Sequence, residues 1–199
     1  MTGKIIDLFP IPIYQSLTGI KFNREQLRYV GLKYKDKNPL DLKLFKNLKT
    51  SFENACKNCL DKTFLIDPMI NIKITNSKFD YCLNGYNNIE KKYNSYLTGV
   101  YCFQSSKKDE ITFEKGLYSQ IKIKPTTNTR YNSYSWKFDL RPGDLHLFPS
   151  WLDYDFNERK KQVDDRILIV FNTYITNIGD EKFMKLMISL DDKKELIIV

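Results

Sequence analysis

The apolar pattern of this chain changes period once, near Pro68, and that change constrains the fold more than any other feature. Before it, over residues 40–64, Leu44, Leu48, Phe52, Ala55 and Cys59 recur at the spacing of one helix face, with Lys43, Lys46, Lys49 and Glu53 largely off it. Pro68 is expected to stop this helix. After it, Ile70, Ile72 and Ile74 alternate with polar partners, as a half-buried strand requires. Strand-like runs follow at 96–103, 110–113, 117–124, 134–140, 145–148 and 166–175. Arg141-Pro142-Gly143-Asp144 reads as a turn between two of them, because Pro presets φ and Gly admits positive φ. A helical start followed by many short strands fits a mainly β sandwich or barrel with helices on one face.

The ends add less. Pro10 and Pro12 break an extended opening segment over 5–14, which suits an edge strand or a loop on the core. Asn23 is placed to cap a short helix, with Gln26 at the capping-box position. Residues 182–199 read as two apolar runs around Asp191-Asp192-Lys193-Lys194, a terminal hairpin. The expected organisation is one domain over 1–178 with a hairpin extension at 179–199. The last strand of that hairpin would cover the core or dock on another subunit, since an open apolar edge invites aggregation.

With 42% hydrophobic and 14% aromatic residues, 199 residues can bury a core, which argues against disorder. The start shows no secretory pattern and no window reaches a membrane span, so a soluble, cytoplasmic chain without a membrane partner is expected. The net charge of +8 is spread among acids. Lys107-Lys108 precedes Asp109-Glu110, and Arg159-Lys160-Lys161 precedes Asp164-Asp165. Nucleic-acid binding would favour an unbroken basic stripe, so a solvated lysine-rich surface is the better reading. Cys56-Lys57-Asn58-Cys59 has CxxC spacing but lies within the helical pattern, away from the strand-then-turn setting of a redox motif. Cys82 and Cys102 fall in strand-like runs, and no second CxxC completes a zinc site. Buried free thiols are expected.

His146 is the one histidine, so no site built on two histidines can form within this chain. Alternation in Leu145-His146-Leu147-Phe148 puts it on the face opposite both leucines. No Ser-His-Asp or Cys-His arrangement is visible, so a packed or hydrogen-bonded structural role is expected.

Four segments, in order, resemble one family. Leu8-Phe9-Pro10-Ile11-Pro12-Ile13-Tyr14 looks like an LFPTPIY start, and Ser95-Tyr96-Leu97-Thr98-Gly99-Val100-Tyr101 is similar to SFLSGVYY. Arg141 to Asp144 with Leu147-Phe148-Pro149-Ser150-Trp151-Leu152 resembles PGDLILFPSWL, and Arg166 through Phe171-Asn172 resembles RISISFN. These are motifs of the 2-oxoglutarate/Fe(II)-dependent oxygenase family common in marine bacteria and their phages. The resemblance covers about residues 6–176 and implies a double-stranded β-helix, the cupin-like jelly roll, with N-terminal helices on one outer face.

The same resemblance implies an iron site of two histidines and a carboxylate, with 2-oxoglutarate bound beside it. At the positions matching the family's ligands this chain has Glu90, Lys92, Lys115 and Tyr154. Glu114, Asp153 and Asp155 lie one residue off, which in a strand turns a side chain to the opposite face. Glu90 pairing with Lys92 or Lys115 in the old metal position, or all three solvated at a barrel mouth, are the two readings left open. Arg166 matches the cosubstrate arginine, but Leu168 stands where the family has serine. A structural ion pair of Arg166, with Asp164 or Asp165, is the expected alternative use.

The expected function is therefore a non-catalytic member of the oxygenase fold with no cofactor, working through protein partners or self-assembly. The family's occurrence in phages suggests a structural part of a virion, near the tail or neck. Tyr131, Tyr134 and Trp136 near Arg130 have the composition of a protein interface. Two alternatives stand beside this: an active dioxygenase using iron and 2-oxoglutarate through unorthodox ligands, and a binder of an anionic ligand among Lys92, Lys115 and Arg166.

Overall fold

The computed structural model describes residues 10–20, 22–33, 38–67, 70–81, 95–115, 126–130, 132–157 and 166–176. Asn23 starts the first helix, α1 (Arg24–Lys33), and its side-chain oxygen accepts the Glu25 N–H at 2.9 Å. That bond satisfies one of the donors a helix start leaves unpaired. The second helix, α2, runs Lys46–Cys59. Two short 3-10 turns precede it at Pro39–Asp41 and Lys43–Phe45, and a wide turn follows at Leu60–Phe64.

The helix expected over 40–64 is thus regular in its middle only. Leu42 is extended at φ −73 and ψ 139, which breaks the helical phase. Leu44 consequently leaves the apolar face and is exposed, while Phe45 takes the inward position. The helical stretch ends at Leu65, which adopts a left-handed φ of 50, before Pro68 is reached. Leu48, Phe52, Ala55, Cys56 and Cys59 form the buried face of α2.

Among the described residues eight strands follow one another: β1 (Tyr14–Leu17), β2 (Asn71–Tyr81), β3 (Leu97–Gln104), β4 (Glu110–Glu114), β5 (Ser135–Asp139), β6 (Asp144–Pro149), β7 (Asp153–Phe156) and β8 (Ile167–Thr176). They form two antiparallel sheets, ordered β1-β6-β3-β8-β2 and β5-β4-β7. The fold is mainly β and consistent with a sandwich. β7 was not expected: half of Asp153-Tyr154-Asp155-Phe156 is charged, and it is a strand because β4 offers it a partner. The strand expected at 117–124 and the hairpin at 182–199 lie outside the described residues.

Two cores result from strand alternation. On one face of the larger sheet, Leu97, Tyr101, Leu145, Leu147, Ile167, Ile169 and Phe171 meet the helices. Phe52 stacks on Phe171 at 4.9 Å and lies 5.1 Å from Tyr101. Full burial of each such ring contributes about 2–3 kcal/mol. On the other face, Val100, Cys102, Phe148, Leu168 and Val170 meet Ile111, Phe113 and Phe156 of the smaller sheet. β3, β6 and β8 are therefore covered on both sides, which explains their near-continuous apolar runs. Gly99 is required for the first core, since a Cβ there would lie 2.1 Å from Phe171. The turn into β6 closes with Asp144 N–H donating to the Arg141 carbonyl at 3.0 Å and Gly143 at φ +95. Among the described residues no helix is long and apolar enough to cross a membrane.

Candidate functional site

The space between the two sheets is where a site would lie, because Tyr154 of β7, Leu168 of β8 and Arg166 just before β8 contribute to the core there. On β7, pairing of Tyr154 with Phe113 turns both rings inward, whereas Asp153 pairs with Glu114 and Asp155 with Thr112 on the other face. Glu114 and Asp155 are exposed. On β8, Leu168 faces inward and is fully buried, opposite Asp80 of β2 and Cys102 of β3. Arg166, just before β8, has the same phase.

Arg166 is 1% exposed, as is its ion-pair partner Asp109 at 3.7 Å. Its Nη1 also donates to both the backbone and the side-chain oxygen of Asn157, each at 3.2 Å. Its guanidinium lies 4.9 Å from the centre of the Phe156 ring, a cation–π contact. Asp109 accepts the Ser106 N–H at 2.6 Å as well, so the turn into β4 holds the acid in place. Among the described residues the acid facing Arg166 is therefore Asp109. Asp164 and Asp165, the expected partners, lie outside the described residues.

Tyr154 is partly buried and packs against the aromatic rings of this core. Its ring lies 4.9 Å from Phe148 and 5.7 Å from Phe156. Burial, with Asp80 adding to it, pushes its phenol pKa well up from the ordinary value, so the hydroxyl stays protonated. Lys115 follows β4, where its N–H donates to the Tyr134 carbonyl at 2.9 Å, and it is exposed. Glu90 and Lys92 lie outside the described residues, so their expected pairing does too.

These positions do not fit the iron that the resemblance implies. A protonated phenol and an exposed ammonium are poor ligands for a hard or borderline cation. Among the described residues no three of His, Cys, Asp and Glu converge on one point that could hold a metal. The place that the resemblance gives to a cosubstrate carboxylate does not fit one either, because Arg166 already has an acid and Leu168 supplies no hydroxyl.

His146 is fully buried on β6, across from Gln15 of β1 and Val100 of β3, and its ring lies 6.1 Å from Phe138. Neither ring nitrogen has a hydrogen-bond partner. It is packed, not hydrogen-bonded, and burial pulls its pKa down, opposed by Asp144. The three described cysteines, Cys56, Cys59 and Cys102, are free and buried. Burial raises the thiol of Cys59 to about 11 and that of Cys102 to about 12, and it raises Cys56 further. Thiols held protonated in this way are poor nucleophiles. Cys82 lies outside the described residues.

Asp109 and Asn157 are the residues that sequence reasoning missed. Asp109 follows two lysines and reads locally as part of a solvated turn. No local signal marks either residue, because neither is a sequence neighbour of Arg166. No protein-family model matches this chain, and no curated protein matches its sequence.

Proposed function

We propose that this chain is a non-catalytic relative of the 2-oxoglutarate oxygenases, a double-stranded β-helix used as a structural or protein-binding component, as in a phage virion. The observation that carries the reading is the internal use of Arg166. A cosubstrate arginine must offer its guanidinium to a bound carboxylate. Here that guanidinium is buried against Asp109, Asn157 and Phe156. Tyr154 packs on Phe148 and Phe156, and Leu168 adds apolar surface.

The strand pairing supports the jelly-roll form of the fold. β4 pairs with β5, β3 with β6 and β2 with β8, each antiparallel. This nesting is what results when one long hairpin, folded between β4 and β5, winds over itself into two sheets.

Titration calorimetry with Mn(II) and 2-oxoglutarate, followed by a succinate assay with Fe(II), tests the proposal. The expected result is no saturable heat from the cosubstrate and no succinate. Stoichiometric binding of both with turnover would establish the dioxygenase reading in its place.

A further inference from the structure

β5 is the last strand of its sheet, with β4 as its one neighbour among the described residues. Leu140 N–H donates to the Asp109 carbonyl and Lys115 N–H to the Tyr134 carbonyl, both at 2.9 Å. Hydrogen-bonding direction alternates along an antiparallel strand. Even-numbered residues of β5 therefore address β4, and Ser135, Lys137 and Asp139 direct their backbone groups outward. β1 ends the larger sheet on the same side: β5 turns through 140–143 into β6, the neighbour of β1, and Thr18 N–H bonds the Gly143 carbonyl at 2.9 Å. Apolar side chains are left in the open along these two strands, Leu17 at 73% exposure, Tyr134 at 58% and Trp136 at 48%.

We infer that β5 pairs antiparallel with β5 of a second copy of this chain. Charge selects that occupant and the register. Every two-fold register centred on a residue of β5 keeps outward-directed residues opposite one another. Centring on Lys137 sets it against Lys137 of the second copy, a like-charge contact about 5 Å apart, and centring on Asp139 likewise sets Asp139 against Asp139. Centring on Trp136 sets Lys137 against Ser135 and makes no charge pair. Centring on Phe138 sets Phe138 against Phe138, so that Lys137 of each copy faces Asp139 of the other. The two-fold axis repeats this pair, as an isologous interface requires. Within one chain Lys137 already meets Glu110 at 3.0 Å and Asp139 meets Arg141 at 3.3 Å, so the new pairs join two existing ones into a network. The net charge of +8 makes such local complementarity necessary, because two copies otherwise repel. In this register Trp136 lies opposite Leu140, and the two smaller sheets join into one continuous sheet.

The inference deepens the reading of the chain as a structural, protein-binding part, and its partner is a second copy. Its failure is separable from failure of that reading, since ligand titration tests one and oligomeric state the other. The experiment is sedimentation equilibrium on the full chain from about 1 to about 200 µM, a range that resolves micromolar dissociation constants. Wild type is expected to dimerise. Lys137→Asp and Asp139→Lys each replace two attractions by repulsions and should weaken the dimer by about tenfold or more. The double reversal, Lys137→Asp with Asp139→Lys, swaps the charges and should restore dimerisation. Far-UV circular dichroism checks that all variants fold, and the swap identifies an effect of charge sign. A wild-type monomer at the highest concentration overturns the inference and leaves the edge to a strand of a different protein. A dimer unaffected by either single reversal, or not restored by the swap, overturns it equally.

Discussion

Replacing Asp109 by Ala should destabilise the fold by about 3–5 kcal/mol, because it takes an ion-pair partner from a buried guanidinium. The pair is separated by 3.7 Å and both side chains are 1% exposed. At an effective dielectric of about 20, the attraction lost is about 4 kcal/mol. Arg166 keeps its two bonds to Asn157, which places the expected cost towards the lower end of that range. The Ser106 N–H also loses its acceptor, which costs about 1 kcal/mol and partly offsets that relief. For a chain of this length the sum corresponds to a fall in Tm of roughly 6–20 °C. Arg166→Met alone leaves Asp109 buried without its cation and should also destabilise. The double variant Asp109→Ala/Arg166→Met removes both charges and should recover to within about 1–2 kcal/mol of wild type, since a buried pair contributes little over apolar packing. Urea denaturation of the four proteins closes a double-mutant cycle, with an expected coupling of about 2 kcal/mol or more. Additive single effects, or an Asp109→Ala variant within about 0.5 kcal/mol of wild type, would refute the argument. The same proteins test Arg166 as a ligand site. A cosubstrate held at a hundred times its Kd would stabilise wild type by about 2.7 kcal/mol, and no rise in Tm with 2-oxoglutarate is expected.

Other outcomes follow from the two cores. His146→Phe should raise stability by about 1–2 kcal/mol, because it removes two buried ring nitrogens that have no partner. The wild-type pH profile carries the same signature. The folded-state pKa of His146 lies below the unfolded value of about 6.5, so its contribution is intact above that pH and is lost as the pH falls through it towards the folded pKa. Urea titrations between about pH 7 and 5 should show wild type losing stability faster than His146→Phe, and parallel profiles would contradict this. Gly99→Ala should cost about 2–3 kcal/mol or more, since its Cβ would meet Phe171 at 2.1 Å, with partial recovery in Gly99→Ala/Phe171→Leu on chemical denaturation. Peptide mapping after brief thiol labelling at about pH 8 should find Cys56, Cys59 and Cys102 protected until denaturant is added, and rapid native labelling of any of them would contradict their burial.

The helix face and the strand runs were legible because each is a local periodicity. Phe52, Ala55 and Cys59 are buried where helical spacing puts them, and Leu145 and Leu147 face away from His146 as alternation requires. Leu44 was misplaced because one extended residue, Leu42, resets the phase, and no periodicity rule registers a single backbone change. β7 was missed because its alternate residues are charged, and its identity as a strand comes from β4 beside it. The lone histidine was visible as a count, but its packing without any hydrogen bond was not, since that depends on three neighbouring strands.

The sequence by itself determined which chemistry was available: one histidine, lysines and a tyrosine at positions that resemble ligand sites, and an arginine and a leucine where a cosubstrate pair would be. It also determined that a helical start hands over to strands. Only the tertiary structure decided that Arg166 meets Asp109 and Asn157, and that β5 and β1 end their sheets among the described residues. The reason is physical. Periodicity is set by neighbours along the chain, whereas burial, ion pairing and free edges depend on which distant strands meet, and no local pattern encodes that meeting.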